Sequence, residues 1–168
     1  MKRFLFLVLA LGALLLVGCG AEDPPSQTSA TTTAQQSTFT VDAFLAQFSD
    51  LIAEAATIEE ARQNDSLLVY YVTDINVGDK FTLTLQNDAA GDLISALLVG
   101  PGGSLSAFPS LAMNVCTAMP LPSTEWLDDF GYFIGINEYT ARVYGDWLVC
   151  VDPDFSGEVA LTVSYIRT

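Results

Sequence analysis

Between Phe39 and the C-terminus, apolar positions first recur every three or four residues and then, through long stretches, every second residue. Val41, Phe44, Leu45, Phe48, Leu51, Ile52 and Ala55 share one helical face and leave Asp42, Gln47, Asp50 and Glu54 on the other. Thr40 is suited to cap that helix, and Asp42 lies in the first turn, where the helix dipole favours negative charge. Thr57-Ile58-Glu59-Glu60 has the spacing of a capping box and predicts a second, short helical segment. Three strands follow. Leu67–Thr73 is apolar on both faces; Phe81, Leu83 and Leu85 alternate with Thr82, Thr84 and Gln86; Asp92–Val99 supplies the third. The connections around Asn76-Val77-Gly78-Asp79 and Asn87–Asp92 are short and turn-rich, which predicts an antiparallel meander.

Gly100-Pro101-Gly102-Gly103 interrupts this pattern and lacks the spacing and the lysine of a phosphate loop. Two more helices are expected beyond it. Pro109 suits the first turn of one, with Leu111, Ala112, Val115, Cys116 and Met119 on one side. Ser123 or Thr124 caps the next, with Trp126, Leu127, Phe130 and Phe133 on one face. The chain closes on strands: Arg142–Tyr144 and Trp147–Val151 around a Gly145-Asp146 turn, and a last strand in which Val159, Leu161, Val163 and Tyr165 alternate with polar or small residues. These elements predict an α+β domain, a two-layer sandwich in which helices pack on one face of an antiparallel sheet, in the order α-β-β-β-α-α-β-β. The other sheet face is expected to be polar and open, and is the first place to seek a partner.

The N-terminal region has a different grammar. Met1-Lys2-Arg3 precedes an apolar run from Phe4 to Val17, and a small residue then leads to Cys19. That is the pattern of an export signal. The run has about 14 residues, short of the roughly 20 that span a bilayer as a helix. Leu16-Val17-Gly18-Cys19 resembles the lipobox of bacterial lipoprotein precursors. The resemblance covers the first 19 residues and implies that residues 1–18 are removed and that Cys19 is lipidated. A diacylglyceryl (palmitate-type) cysteine would hold the protein durably, because two acyl chains anchor where one binds only marginally. Residues 19–38 hold no apolar side chain larger than Ala beyond the cysteine itself, and form a lipid-anchored flexible linker. Residues 39–168 are the right size for a single domain.

Charge narrows the partners. The chain has 20 acidic and six basic residues. Loss of Lys2 and Arg3 with the signal leaves four basic side chains and a formal charge of −16. Such a surface repels phosphate backbones, so nucleic acid is not an expected partner.

Three features bear on chemistry. With Cys19 acylated, Cys116 and Cys150 remain, an even number in an exported chain. A disulfide between a helix and a strand is one expectation, and two buried free thiols the other. Asp152-Pro153-Asp154-Phe155-Ser156-Gly157-Glu158 resembles the first half of an EF-hand calcium loop. Position 12 of that loop should be Glu and is Val163 here. A non-EF calcium site could draw on Asp152, Asp154, Ser156 and Glu158, while a polar hairpin loop accounts for the same residues. Finally, the chain contains no histidine, which removes Ser-His-Asp catalysis, His-ligated zinc and imidazole acid–base chemistry. A carboxylate pair of the glycosidase kind is the enzymatic route left open.

These observations favour an envelope-anchored lipoprotein with a non-enzymatic binding or accessory role at the extracytoplasmic membrane surface, without a cofactor. Its expected partners are the membrane, through acylated Cys19, and an envelope protein or small ligand. The alternatives are an extracytoplasmic carboxylate-dependent hydrolase, on glycans, and a calcium-stabilised domain.

Overall fold

The computed structural model describes residues 39–102, 107–122, 124–136 and 138–166, with the backbone alone for 132–136. Cys19 and the linker, Ser123 and the Phe133 side chain lie outside the described residues. The first helix, α1 (Val41–Ile52), starts where the apolar periodicity puts it. The Thr40 Oγ1 accepts from the Ala43 N–H at 3.2 Å, capping the first turn. Val41, Phe44, Phe48 and Ile52 are buried, and the rings of Phe44 and Phe48 stack with centroids 5.5 Å apart.

The segment expected to continue as helix is instead a strand, β1 (Ala56–Gln63). It pairs antiparallel with β2 (Leu67–Asp74), Ala56 opposite Asp74 and Gln63 opposite Leu68. Its composition, Ala-Thr-Ile-Glu-Glu-Ala-Arg-Gln, has good helix formers, but the partner strand satisfies its backbone and Ile58 packs against the core. Tertiary pairing here overrides local propensity. β3 (Lys80–Asn87) and β4 (Leu93–Pro101) complete the first meander. β4 runs two residues past the expected break: Gly100 pairs with Val159 and Pro101 with Glu158. Glycine is required at position 100 because the Phe81 ring occupies the space a Cβ would fill.

The chain then leaves the sheet for α2 (Phe108–Ala118) and α3 (Glu125–Ile136). Pro109 sits in the first turn of α2, where its missing N–H costs nothing. The chain returns at the far edge as β5 (Thr140–Tyr144) and winds back through β6 (Trp147–Phe155) and β7 (Glu158–Tyr165). β7 closes against β4, giving seven antiparallel strands in the order β1-β2-β3-β4-β7-β6-β5. Among the described residues ten elements form rather than eight, in the order α-β-β-β-β-α-α-β-β-β.

The strand alternation separates the two sides of this sheet. Leu68, Tyr70 and Val72, Phe81, Leu83 and Leu85, Ala96 and Leu98, Val159, Leu161 and Val163, and Val149 and Val151 are buried in a single cluster. Residues of all three helices join it, including Phe48, Leu111, Val115, Trp126 and Phe130. Each large side chain buried this way contributes about 1.5–3 kcal/mol. Among the described residues no helix is long and apolar enough to cross a membrane.

Candidate functional site

The other side of the sheet carries the intervening residues. The register aligns Thr84, Leu97, Thr162, Cys150 and Ala141 in one row across β3, β4, β7, β6 and β5. A neighbouring row holds Gln86, Ser95, Ser164, Leu148 and Val143. Most of these side chains are half-buried, and the rim residues Gln86, Ala141 and Val143 are exposed. Ser95 and Ser164 share a hydrogen bond at 3.1 Å, and the Lys80 Nζ lies 3.5 Å above the Tyr71 ring. The face was expected to be polar, yet Val69, Leu97, Val99 and Leu148 interrupt its hydroxyl-bearing residues. It is an amphiphilic surface, able to offer hydroxyl hydrogen bonds and aliphatic contact together.

The β5 end of this surface is fastened from below. The Arg142 guanidinium donates to both Asp129 carboxylate oxygens at 2.8 and 2.9 Å, and the Tyr144 hydroxyl donates to the same group at 2.8 Å. Burial and the Asp129 carboxylate push the Tyr144 hydroxyl well above the ordinary tyrosine range. A charged acceptor makes this hydrogen bond stronger than a neutral pair. On the open side the exposed Tyr139 hydroxyl donates to the Cys150 Sγ at 3.6 Å, and that bond raises the Tyr139 pKa.

Of the two expectations for the cysteines, the disulfide is not seen. Cys116 and Cys150 are both free thiols. Cys116 lies in the buried face of α2 at 1% exposure. Cys150 alternates with the buried Val149 and Val151, so the pleat turns its side chain to the opposite side of the sheet. A helix-to-strand bridge would need the cysteine at position 149 or 151, on the buried side. Burial pushes the Cys116 thiol up to about 12, which keeps it neutral and unreactive.

The calcium-loop residues are accounted for by a hairpin. Ser156 and Gly157 form the two-residue turn between β6 and β7, with φ of +57° and +87°. Both central residues of such a turn occupy the left-handed region, which explains Ser-Gly at these positions. The Asp152 carboxylate accepts from the Asp154 N–H at 3.0 Å, while Glu158 pairs with Phe155 and with Pro101. Asp152, Asp154, Ser156 and Glu158 are spread along the hairpin. Among the described residues no group of three or more Asp, Glu, Cys or His could hold a metal.

A concavity of about 540 Å³ lies between the N-terminus of α1, the β1–β2 hairpin and the β3–β4 turn. Asp42, Asp65, Asn64 and Asn87 line it. Asn87 donates its Nδ2 to the Asp65 carbonyl at 3.2 Å, and its buried Oδ1 has no partner. Carboxylate acid–base catalysis needs one carboxyl kept protonated in dry surroundings. Asp42 and Asp65 are both exposed, so neither carboxyl lies in such surroundings. The other carboxylates with defined roles are structural: Asp129 holds Arg142 and Tyr144, and buried Asp74 accepts from the Asn76 and Val77 N–H groups at 2.8 and 2.9 Å. No protein-family model, curated protein or solved structure matches the chain.

Proposed function

We propose that this chain is an envelope lipoprotein, tethered through acylated Cys19 at a bacterial cell membrane or outer membrane, whose domain has a non-enzymatic binding or accessory role on the extracytoplasmic side. In this proposal α1, α2 and α3 cover one face of the sheet as one layer of a two-layer sandwich, and the second face meets an envelope protein or a small ligand. The observation that carries the proposal is that second face. Leu97, Val99, Leu148 and Val69 stand among Thr82, Thr84, Thr162 and Ser95 on the same surface, a composition suited to contact rather than to solvation alone. The absence of histidine and the exposure of both carboxylates at the cavity favour binding over catalysis. Envelope crosslinking and recovery of the lipidated protein, beside a Cys19→Ser control, tests the proposal. A specific partner recovered only with the anchor present supports it. Recovery of no partner, with processing at Cys19 verified by intact mass, together with an unchanged envelope on deletion of the protein, would sink it.

A further inference from the structure

The proposal that follows rests on the binding reading and identifies where and how a partner docks. The sheet has two edges, and only one is defended. Edge strands expose a row of unpaired backbone donors and acceptors, and proteins blunt them with charge, bulges and irregular register. β1 has all three: Glu59, Glu60 and Arg62 lie within eight residues, and the register shifts between Glu60 and Arg62. β5 has neither a bulge nor a register shift, and it carries a single charged residue. Its pairing with β6 runs without a shift from Thr140 opposite Val151 to Tyr144 opposite Trp147. Its one charge, Arg142, is held by Asp129 on the helix side. Among the described residues no strand pairs with its outer edge.

The pairing of β6 with β7 determines which backbone groups point outward. The Ile166 N–H donates to the Asp146 carbonyl at 2.7 Å, so the even-numbered residues from Asp146 into β6 turn their backbone groups to β7, and Trp147, opposite Tyr144, turns its own to β5. Antiparallel pairs alternate, so Arg142 and Thr140 also bond inward to β6, and Ala141 and Val143 direct their N–H and C=O groups to the open edge. Their side chains emerge on the amphiphilic face. Val143 is 59% exposed, and Tyr139, which precedes the strand, is 64% exposed.

The charge around this edge selects the occupant. Glu138 lies before β5, Asp146 after it, and Asp152 close enough to act on Tyr139; Glu138 and Asp146 are exposed. A second copy pairing antiparallel through the same edge would set Arg142 against Arg142 and bring together two domains of high negative charge. Anionic lipid is repelled for the same reason. We propose that β5 is a docking edge that accepts an extended, lysine- or arginine-bearing segment of a partner protein as an eighth strand, bonded to the backbone of Ala141 and Val143, with its apolar side chains against Val143 and Tyr139. The ladder supplies affinity, and the acidic surroundings supply selectivity for cationic sequences.

The test uses the full lipidated protein in maltoside micelles and the peptide Lys-Val-Lys-Val-Lys-Val-Lys as probe, beside the same peptide N-methylated at alternate residues, which keeps its charge and loses strand donors. Binding of the first with at least about tenfold preference over the second is expected. Hydrogen exchange should slow at Ala141 and Val143 and stay unchanged at Thr140 and Arg142. Val143→Pro removes one outward donor at an edge position that tolerates proline, and should weaken binding about tenfold while leaving the melting temperature near wild type. Should that variant unfold, Val143→Lys keeps the N–H, adds a repelling charge and should weaken binding as well. Equal binding of the two peptides, no binding of either, or protection on β1 instead of β5 would overturn the proposal. If Val143→Pro recovers the same envelope partner as wild type, the edge proposal falls and the binding role stands. If the pull-down recovers nothing while the alternating amide pattern forms, the edge is competent and the wider role is what fails.

Discussion

The two edges of the sheet are built from opposite materials. β1 is long, charged and bulged, and it is fixed to the body through buried Ala56, partly buried Ile58 and its pairing with β2. β5 is short and regular in register, and it is clamped from the helix side by Asp129 through Arg142 and Tyr144. The difference shows that protection of an edge and anchorage of an edge are separate properties. Charge along a strand discourages new partners without holding the strand in place. A partly buried, charge-assisted hydrogen bond holds the strand while leaving its outer backbone available.

The largest expected effect tests that anchorage directly. Trp147 is buried beside Tyr144 and meets the Tyr165 ring edge-on with centroids 5.3 Å apart. Trp147→Ala should cost about 3–5 kcal/mol in urea denaturation, whereas Ile58→Ala, at the partly buried β1 edge, should cost about half of that or less. Equal losses would show that the two edges are equally fixed. The alkaline limb of stability comes next. Cys116, which lies near enough to Tyr144 to influence it, has its thiol raised from 9.0 to about 12 in the folded protein. The unfolded thiol therefore ionises first, and stability should fall between pH 9 and pH 12 by on the order of 1 kcal/mol per pH unit. Tyr144, raised in the same direction, extends the loss at higher pH. Cys116→Ala should flatten the slope between pH 9 and pH 12 in chemical denaturation at stepped pH; an unchanged slope would place the sensitivity elsewhere.

Asp129→Ala should cost about 1–2 kcal/mol, with Tyr144→Phe accounting for most of it in a double-mutant cycle, because the Arg142 side chain is 51% exposed and its ion pair is screened. At the other edge Glu59→Gln should change stability by less than about 0.5 kcal/mol. Thiol labelling sharpens the contrast between the faces without altering stability. In the folded protein a thiol reagent should modify Cys150 and spare Cys116 until denaturant is added. Protection of both, with loss of two protons in the intact mass, would restore the disulfide.

Much of this domain was legible in advance because its helices and strands are strongly patterned. Leu111, Ala112, Val115, Cys116 and Met119 were expected on one face and are buried together. Val159, Leu161 and Val163 were expected to point one way, and they do. Three features were not legible. β1 reads as helix because Glu-Glu-Ala-Arg-Gln favours helix locally, and only Leu68–Asp74 alongside it makes the extended form better satisfied. Leu127 was assigned to the buried face of α3 and is exposed. The open sheet face was expected to be polar from the two cleanly alternating strands, Phe81–Gln86 and Val159–Tyr165, but Leu67–Thr73 and Asp92–Val99 carry apolar residues on both sides and bring Val69, Leu97 and Val99 to it.

By itself, the sequence determined the acidic balance of charge, the exclusion of histidine chemistry, and the α+β class, since each depends on composition or on periodicity within one segment. The strand order, the return of the chain to the far edge as β5, and the separation of Cys116 from Cys150 were decided by the tertiary structure alone. These depend on which segments pair across long stretches of chain. A one-residue step along β6 moves a side chain to the other face of the sheet, and no local pattern records which partner strand fixes that step.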